Sequence, residues 1–194
     1  MTARLNVTLA VKRLVREVAA RLPELAHVRA SRLLVVAGEA RRASRATIRP
    51  YAGLGGGKGP RVEVRGREVR YVITLRPLWF LDSTPEERIE TILHELYHAS
   101  LRFDGTLHRG RRHAELAPGA YRRRIRAMRE RYLAEAPAEL VAPFAHRGLV
   151  RARMWLERPA GPRRGGGPGR RIYTEGQLFY GLIRMRTLRR RSTA

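Results

Sequence analysis

Cysteine is absent from the 194-residue chain, which excludes disulfides and thiolate metal sites and leaves His, Asp and Glu as possible metal ligands. Lysine is almost absent as well: only Lys12 and Lys58 stand beside 39 arginines. Acidic residues are scarce, 17 against 41 basic ones, and the formal net charge is +24. No apolar run approaches the roughly 18 residues of a membrane span. The opening Met1-Thr2-Ala3-Arg4-Leu5 lacks the continuous apolar segment of a secretory signal. Together these absences lead to the expectation of a soluble cytoplasmic protein with no membrane partner.

What is present is enough apolar residue, 43% of the chain, to build a core. Arginine in place of lysine is what a GC-rich genome produces, but that bias does not explain the excess over carboxylates. A surplus of this size sets up a positive field that attracts polyanions, nucleic acid first, without implying sequence specificity.

Hydrophobic periodicity outlines the elements. Val7, Val11, Leu14, Val15, Val18 and Leu22 recur at helical spacing. Leu33 to Ala37 reads as a buried strand closed by Gly38, and Arg41 to Ile48 as a second extended segment. Gly53 to Gly59 resembles a phosphate loop only superficially. Ala52 stands where its first glycine belongs and Gly59 where its Ser or Thr belongs, so a flexible loop is expected. Alternating Val62, Val64, Val69, Tyr71, Ile73 and Leu75 around Gly66 predict a β-hairpin. Tyr121 to Leu133 predicts a basic helix with Ile125, Met128 and Tyr132 buried. Pro137 and Pro143 suggest a boundary, and Val150 to Leu156 a further strand. Residues 159–169 read as a mobile Gly/Pro/Arg linker, and Thr174 with Gln177 as the capping box of a terminal helix.

The densest chemistry lies in His94-Glu95-Leu96-Tyr97-His98. Thr84 as N-cap, Pro85 at the first helical position and Glu87 three residues after the cap predict the start of a helix. On it, Ile89, Ile92, Leu93 and Leu96 form the buried stripe. Two histidines four apart project from one face, close enough to share a metal ion, and Glu95 can reach a water on that ion. Catalytic zinc takes three protein ligands and keeps one position open. The third ligand must come from downstream: His113 is the first choice and His108 the second, with Asp104 and Glu115 as carboxylate options. Glu95 is the candidate general base, and Tyr97, Tyr121 and Arg102 are candidate donors to an oxyanion. His27 and His146 have no patterned partners and read as structural or exposed.

The run HELYHASLRFDGTLHRGRRHAELAPGAYRRR, residues 94–124, resembles the phage-type metallopeptidases, which carry an HELxH helix, an RFDG segment, a later histidine and a tyrosine-containing helix. The order of strands, hairpin and helix also looks more distantly like the SprT-like metalloproteases. The resemblance spans roughly residues 30–135. It implies zinc at His94, His98 and His113 with Glu95 as catalytic base, although Ala114 follows His113 where those relatives carry glycine.

The expected fold is therefore α+β and zincin-like: a small, mostly antiparallel sheet with an N-terminal helix and an HExxH helix. Residues 1–145 would form the metallopeptidase domain and 146–194 a basic C-terminal extension. The expected function is zinc-dependent hydrolysis of peptide bonds in a protein or peptide, acting near DNA. The alternative is a basic nucleic-acid-binding protein whose zinc site is structural or vestigial.

Overall fold

The computed structural model describes residues 4–39, 44–51, 61–81, 83–111, 119–159 and 172–186. These residues form an α+β arrangement around one five-stranded sheet. Helix α1 (Val7–Arg21) is capped by Asn6, whose side-chain oxygen accepts the Leu9 N–H at 3.0 Å. Valine is a mediocre helix former, so packing holds this element: Val7, Val11, Leu14, Val15 and Val18 are fully buried. Each contributes roughly 1.5–3 kcal/mol through burial.

The strands are β1 (Leu33–Ala37), β2 (Ala46–Pro50), β3 (Arg61–Val64), β4 (Arg67–Glu68), β5 (Tyr71–Leu75), β6 (Gly148–Trp155), β7 (Ile172–Tyr173) and β8 (Leu178–Met185). The large sheet runs β2-β5-β1-β6-β8; β5, β1 and β6 are parallel, while β2 and β8 are antiparallel to their neighbours. It is thus mixed, not mostly antiparallel as expected. Central β1 is buried on both faces, which explains its unbroken apolar run. Leu33, Val35 and Ala37 face the main core with α1. Leu34 and Val36 pack with Val62, Val69, Val72 and Tyr173 in a second cluster beneath the small sheet β4-β3-β7.

The expected hairpin forms only in part. Arg65 (φ 54°) and Gly66 (φ 67°) make its two-residue turn, both in the left-handed conformation that such turns require. The ladder then lasts two pairs, Glu63 with Glu68 and Val64 with Arg67. Val69 and Val72 enter the second cluster, while Tyr71, Ile73 and Leu75 enter the main core. An odd spacing on one face cannot be met by a continuous strand, so the chain breaks at 69–70 and β5 inserts between β2 and β1.

Two further differences concern the C-terminal part. Pro137 and Pro143 mark no gap: α5 (Ala138–Ala145) follows α4 (Ala120–Glu135) directly and buries Phe144 edge-on to Trp79 at 6.3 Å. Residues 178–185 are a strand, not the expected helix. The Thr174–Gln177 capping box is present but starts only a 3-10 turn (Glu175–Gln177). Pairing along all eight residues of β6 wins, and Met154 lies over Gly181 where a side chain would sit. Residues 148–155 and 178–185, assigned from the sequence to an extension, therefore lie in the main sheet, with Val150, Ala152 and Met185 in its core. The loop of residues 53–59 and the linker of 159–169 lie outside the described residues. No helix among the described residues is long and apolar enough to cross a membrane.

Candidate metal and catalytic site

Helix α3 (Pro85–Tyr97) begins as its sequence requires. Thr84 Oγ1 accepts the Glu87 N–H at 3.3 Å, and the Glu87 carboxylate accepts the Thr84 N–H at 2.8 Å. Ile89, Ile92, Leu93 and Leu96 are fully buried. This stripe fixes the helix rotation and turns His94 and His98 together onto a half-buried face. Their Nε2 atoms lie 3.3 Å apart, with the rings edge to face at 4.9 Å between centroids. Two nitrogens each bound at 2.0–2.1 Å to a tetrahedral zinc would be about 3.3–3.4 Å apart. The pair therefore fits one ion without rearrangement.

A second contact sets the tautomer of His98. Its Nδ1 lies 2.9 Å from the Arg111 carbonyl oxygen. A carbonyl only accepts, so Nδ1 carries the proton and Nε2 presents its lone pair towards His94. The loop between the two residues is built to deliver that carbonyl. Asp104 Oδ1 accepts from Ser100 Oγ (2.7 Å), Thr106 N–H (3.0 Å) and Thr106 Oγ1 (2.7 Å), closing the turn. These bonds hold the Asp104 carboxyl below its ordinary pKa. Phe103, at φ 50°, turns inward against Tyr71 at 4.6 Å, and the Tyr71 hydroxyl donates to the Thr106 carbonyl. His108 N–H then bonds the His98 carbonyl at 2.9 Å, which aligns residues 108–111 alongside the helix end. Asp104 is thus the clasp of this loop and not a ligand.

Glu95 lies between the two histidines in sequence. It is 7% exposed and accepts the Ile48 N–H of edge strand β2 at 2.7 Å. Burial pushes its carboxyl up to about 7, opposed by the Ile48 hydrogen bond and the charge of Arg76. Such a group can take up and return a proton near neutrality.

Of the three candidate donors, the fold brings Tyr121 to the histidines. Placed in the first turn of α4, its ring lies 5.0 Å from His94 and stacks on His98 at 5.4 Å. Its hydroxyl is 3.3 Å from the His94 carbonyl and 3.2 Å from His98 Nε2. Burial, followed by the charges of Glu95 and Tyr97, raises its pKa well above the ordinary value, so the phenol stays protonated. Tyr97 is engaged elsewhere, accepting from Arg124 at 2.9 Å under the Arg111 guanidinium. Arg102 is exposed and, with Pro50, Leu107 and His108, lines a cleft of about 790 Å³.

The first-choice third ligand, His113, lies outside the described residues, as does Glu115. Among the described residues no group of three His, Asp or Glu side chains converges on one point. His108 does not join the pair; its Nδ1 is buried without a hydrogen-bond partner. The Ile48 N–H and Arg111 carbonyl escaped sequence reading because every residue carries both groups, and only the fold selects which ones are used.

His27 is half-buried, its Nε2 buried without a partner and its ring edge-on to Phe103. Burial first, and then Arg111, push its pKa down to about 4. The unfolded chain takes up this proton near pH 6.5 and the folded chain only near 4, so stability falls as the pH drops across that interval. Allowing for partial solvent access, the expected loss between pH 7 and 5 is on the order of 1–2 kcal/mol. Urea unfolding should show this loss in the native chain and not in His27→Leu; the same pH dependence in both would assign it to other groups.

Comparison with known proteins adds no relative: no family model, no curated protein and no solved structure matches the chain. Fold and site together define an α+β protein presenting a convergent histidine pair and a buried glutamate on one capped helix.

Proposed function

We propose that the chain is a zinc-dependent peptidase with a zincin-like active-site helix. One observation carries this reading: the 3.3 Å approach of His94 Nε2 to His98 Nε2, the separation of two tetrahedral zinc ligands, with buried Glu95 between them in sequence. His94 and His98 would hold the ion with His113 as third ligand. Bound zinc would polarise the scissile carbonyl and lower the pKa of a water to about 7. Glu95 then receives the proton of the attacking water and passes it to the leaving amine nitrogen. The Tyr121 hydroxyl donates to the oxyanion that develops on the former carbonyl. A positively charged surface would bring such an enzyme to substrates near nucleic acid.

Metal analysis with a casein cleavage assay tests the reading. The native chain should retain about one zinc and lose cleavage on chelation, regaining it with added zinc. His94→Gln and His98→Gln should abolish both zinc retention and cleavage. Hydrolysis indifferent to chelation, or no zinc retained by the native chain, would end the proposal. A second reading, a nucleic-acid-binding protein whose zinc site is structural, rests on Arg151, Arg153 and Arg184 of β6 and β8, two paired strands that contain no carboxylate. It differs in expecting zinc binding without any cleavage.

A further inference from the structure

The side of β6 that faces away from α1 carries Leu149, Arg151, Arg153 and Trp155, since Val150 and Ala152 point into the core. Register places Arg184 opposite Leu149, Leu182 opposite Arg151, and Tyr180 opposite Arg153. The guanidinium groups of Arg151 and Arg153 lie 5.1 and 5.4 Å from the Tyr180 ring centroid. Neither strand contains a carboxylate, and among the described residues none of these three arginines forms an ion pair. Over β1 and β5 this side of the sheet is covered by the small sheet. Over β6 and β8, Tyr180 is 40% and Leu182 51% exposed. The result is a face of arginine, Tyr180 and aliphatic side chains, with Trp155 at its end.

We propose that this face binds single-stranded nucleic acid. Arginines without carboxylate partners are complementary to phosphates, and a tyrosine ring with flanking guanidinium planes is a stacking surface for unpaired bases. A duplex hides its bases, and among the described residues neither strand projects an element that could enter a groove, which favours the single strand over duplex. Eight residues of strand give a track of about 26 Å, enough for a site at the short end of the range for such platforms. The proposal does not depend on the zinc reading, because no residue of the face belongs to that site.

Fluorescence anisotropy of the full chain with a labelled oligo(dT) tests it, with circular dichroism to verify folding of each variant. Arg151→Gln with Arg153→Gln should weaken binding at least tenfold and make the salt slope shallower by about 1.4, the value for two lost phosphate contacts on a single strand. Tyr180→Leu, which suits a strand and leaves charge unaltered, should weaken it about fivefold or more with the slope unchanged. Arg122→Gln with Arg126→Gln, an equal charge loss on the exposed side of α4, should cost less than threefold. Trp155, half-buried at the rim and stacked on Tyr51, should change its fluorescence on binding, while Trp79 is fully buried and silent. Equal losses for the two double variants would reduce the binding to net charge and overturn the assignment. Native affinity in Tyr180→Leu would also overturn it. So would face variants that lose affinity for phosphatidylglycerol vesicles, or for a second copy of the chain, while binding oligo(dT) normally.

Discussion

Glu95→Gln lowers peptide-bond cleavage by about 10²–10⁴-fold while zinc content and folding stay as in the native chain. The substitution is nearly isosteric, and its amide oxygen can still accept the Ile48 N–H that holds the side chain at 2.7 Å. The anchor is kept and the proton acceptor is lost. His94 and His98 are untouched, and so is the Arg111 carbonyl that sets the His98 tautomer. The measurement is kcat/KM on a fluorogenic peptide or casein, paired with metal analysis of the same sample. A variant that cleaves at the native rate would remove Glu95 from the mechanism and with it the zincin-like reading. A variant that loses zinc as well would instead mean that Glu95 supports the metal site.

Arg88→Ala destabilises the fold by about 3–5 kcal/mol, the second large effect. Arg88 is fully buried on α3, and no described carboxylate pairs with it. Its guanidinium instead donates to four carbonyls: Trp79 at 3.1 Å, Phe80 at 3.1 Å, Phe144 at 2.6 Å and Arg186. Burial lowers its pKa, and the cation persists because arginine is so basic and these dipoles surround it. Truncation removes these donors from a site that excludes water; of the four oxygens, that of Phe80 keeps the Arg186 N–H at 2.8 Å. Arg88→Lys keeps the charge but has three donors on a single nitrogen for four dispersed acceptors, so it should lose a smaller part of the stability and remain measurable if the alanine variant fails to fold. Urea unfolding distinguishes these outcomes; native stability in Arg88→Lys would show that the carbonyls are satisfied in another way. The same hub ties α2 (Pro77–Leu81), the end of α5 and the residue after β8 to α3. Removing residues 159–194 would therefore strip an edge strand from the sheet and a carbonyl from Arg88, so it cannot serve as a neutral deletion of a separate tail.

Local features were legible wherever a residue's own chemistry decides its conformation. The Thr84 cap with Glu87, the apolar stripe of α3 and the valine face of α1 all follow from hydrogen-bonding geometry and the 3.6-residue repeat. The spacing of His94 and His98 likewise guaranteed a shared face once that helix existed. Two strongly patterned stretches were settled elsewhere. Val69 to Leu75 alternates like one strand, but two separate cores claim its side chains. Leu178 to Met185 follows a genuine capping box and has helical spacing, yet β6 offers eight backbone partners that no local signal announces.

The sequence by itself determined the pairing of His94 with His98, its helix and the absence of any thiolate, because these depend on residue identity at short range. Only the tertiary structure decided which donor joins the pair, which carbonyl orients His98, which amide holds Glu95, and that the last described strand completes the sheet. Backbone groups are the same at every position and carry no signature. Tyr121, Arg111 and Ile48 become part of the site only when packing brings distant parts of the chain within about 3 Å of one another, the reach of a hydrogen bond.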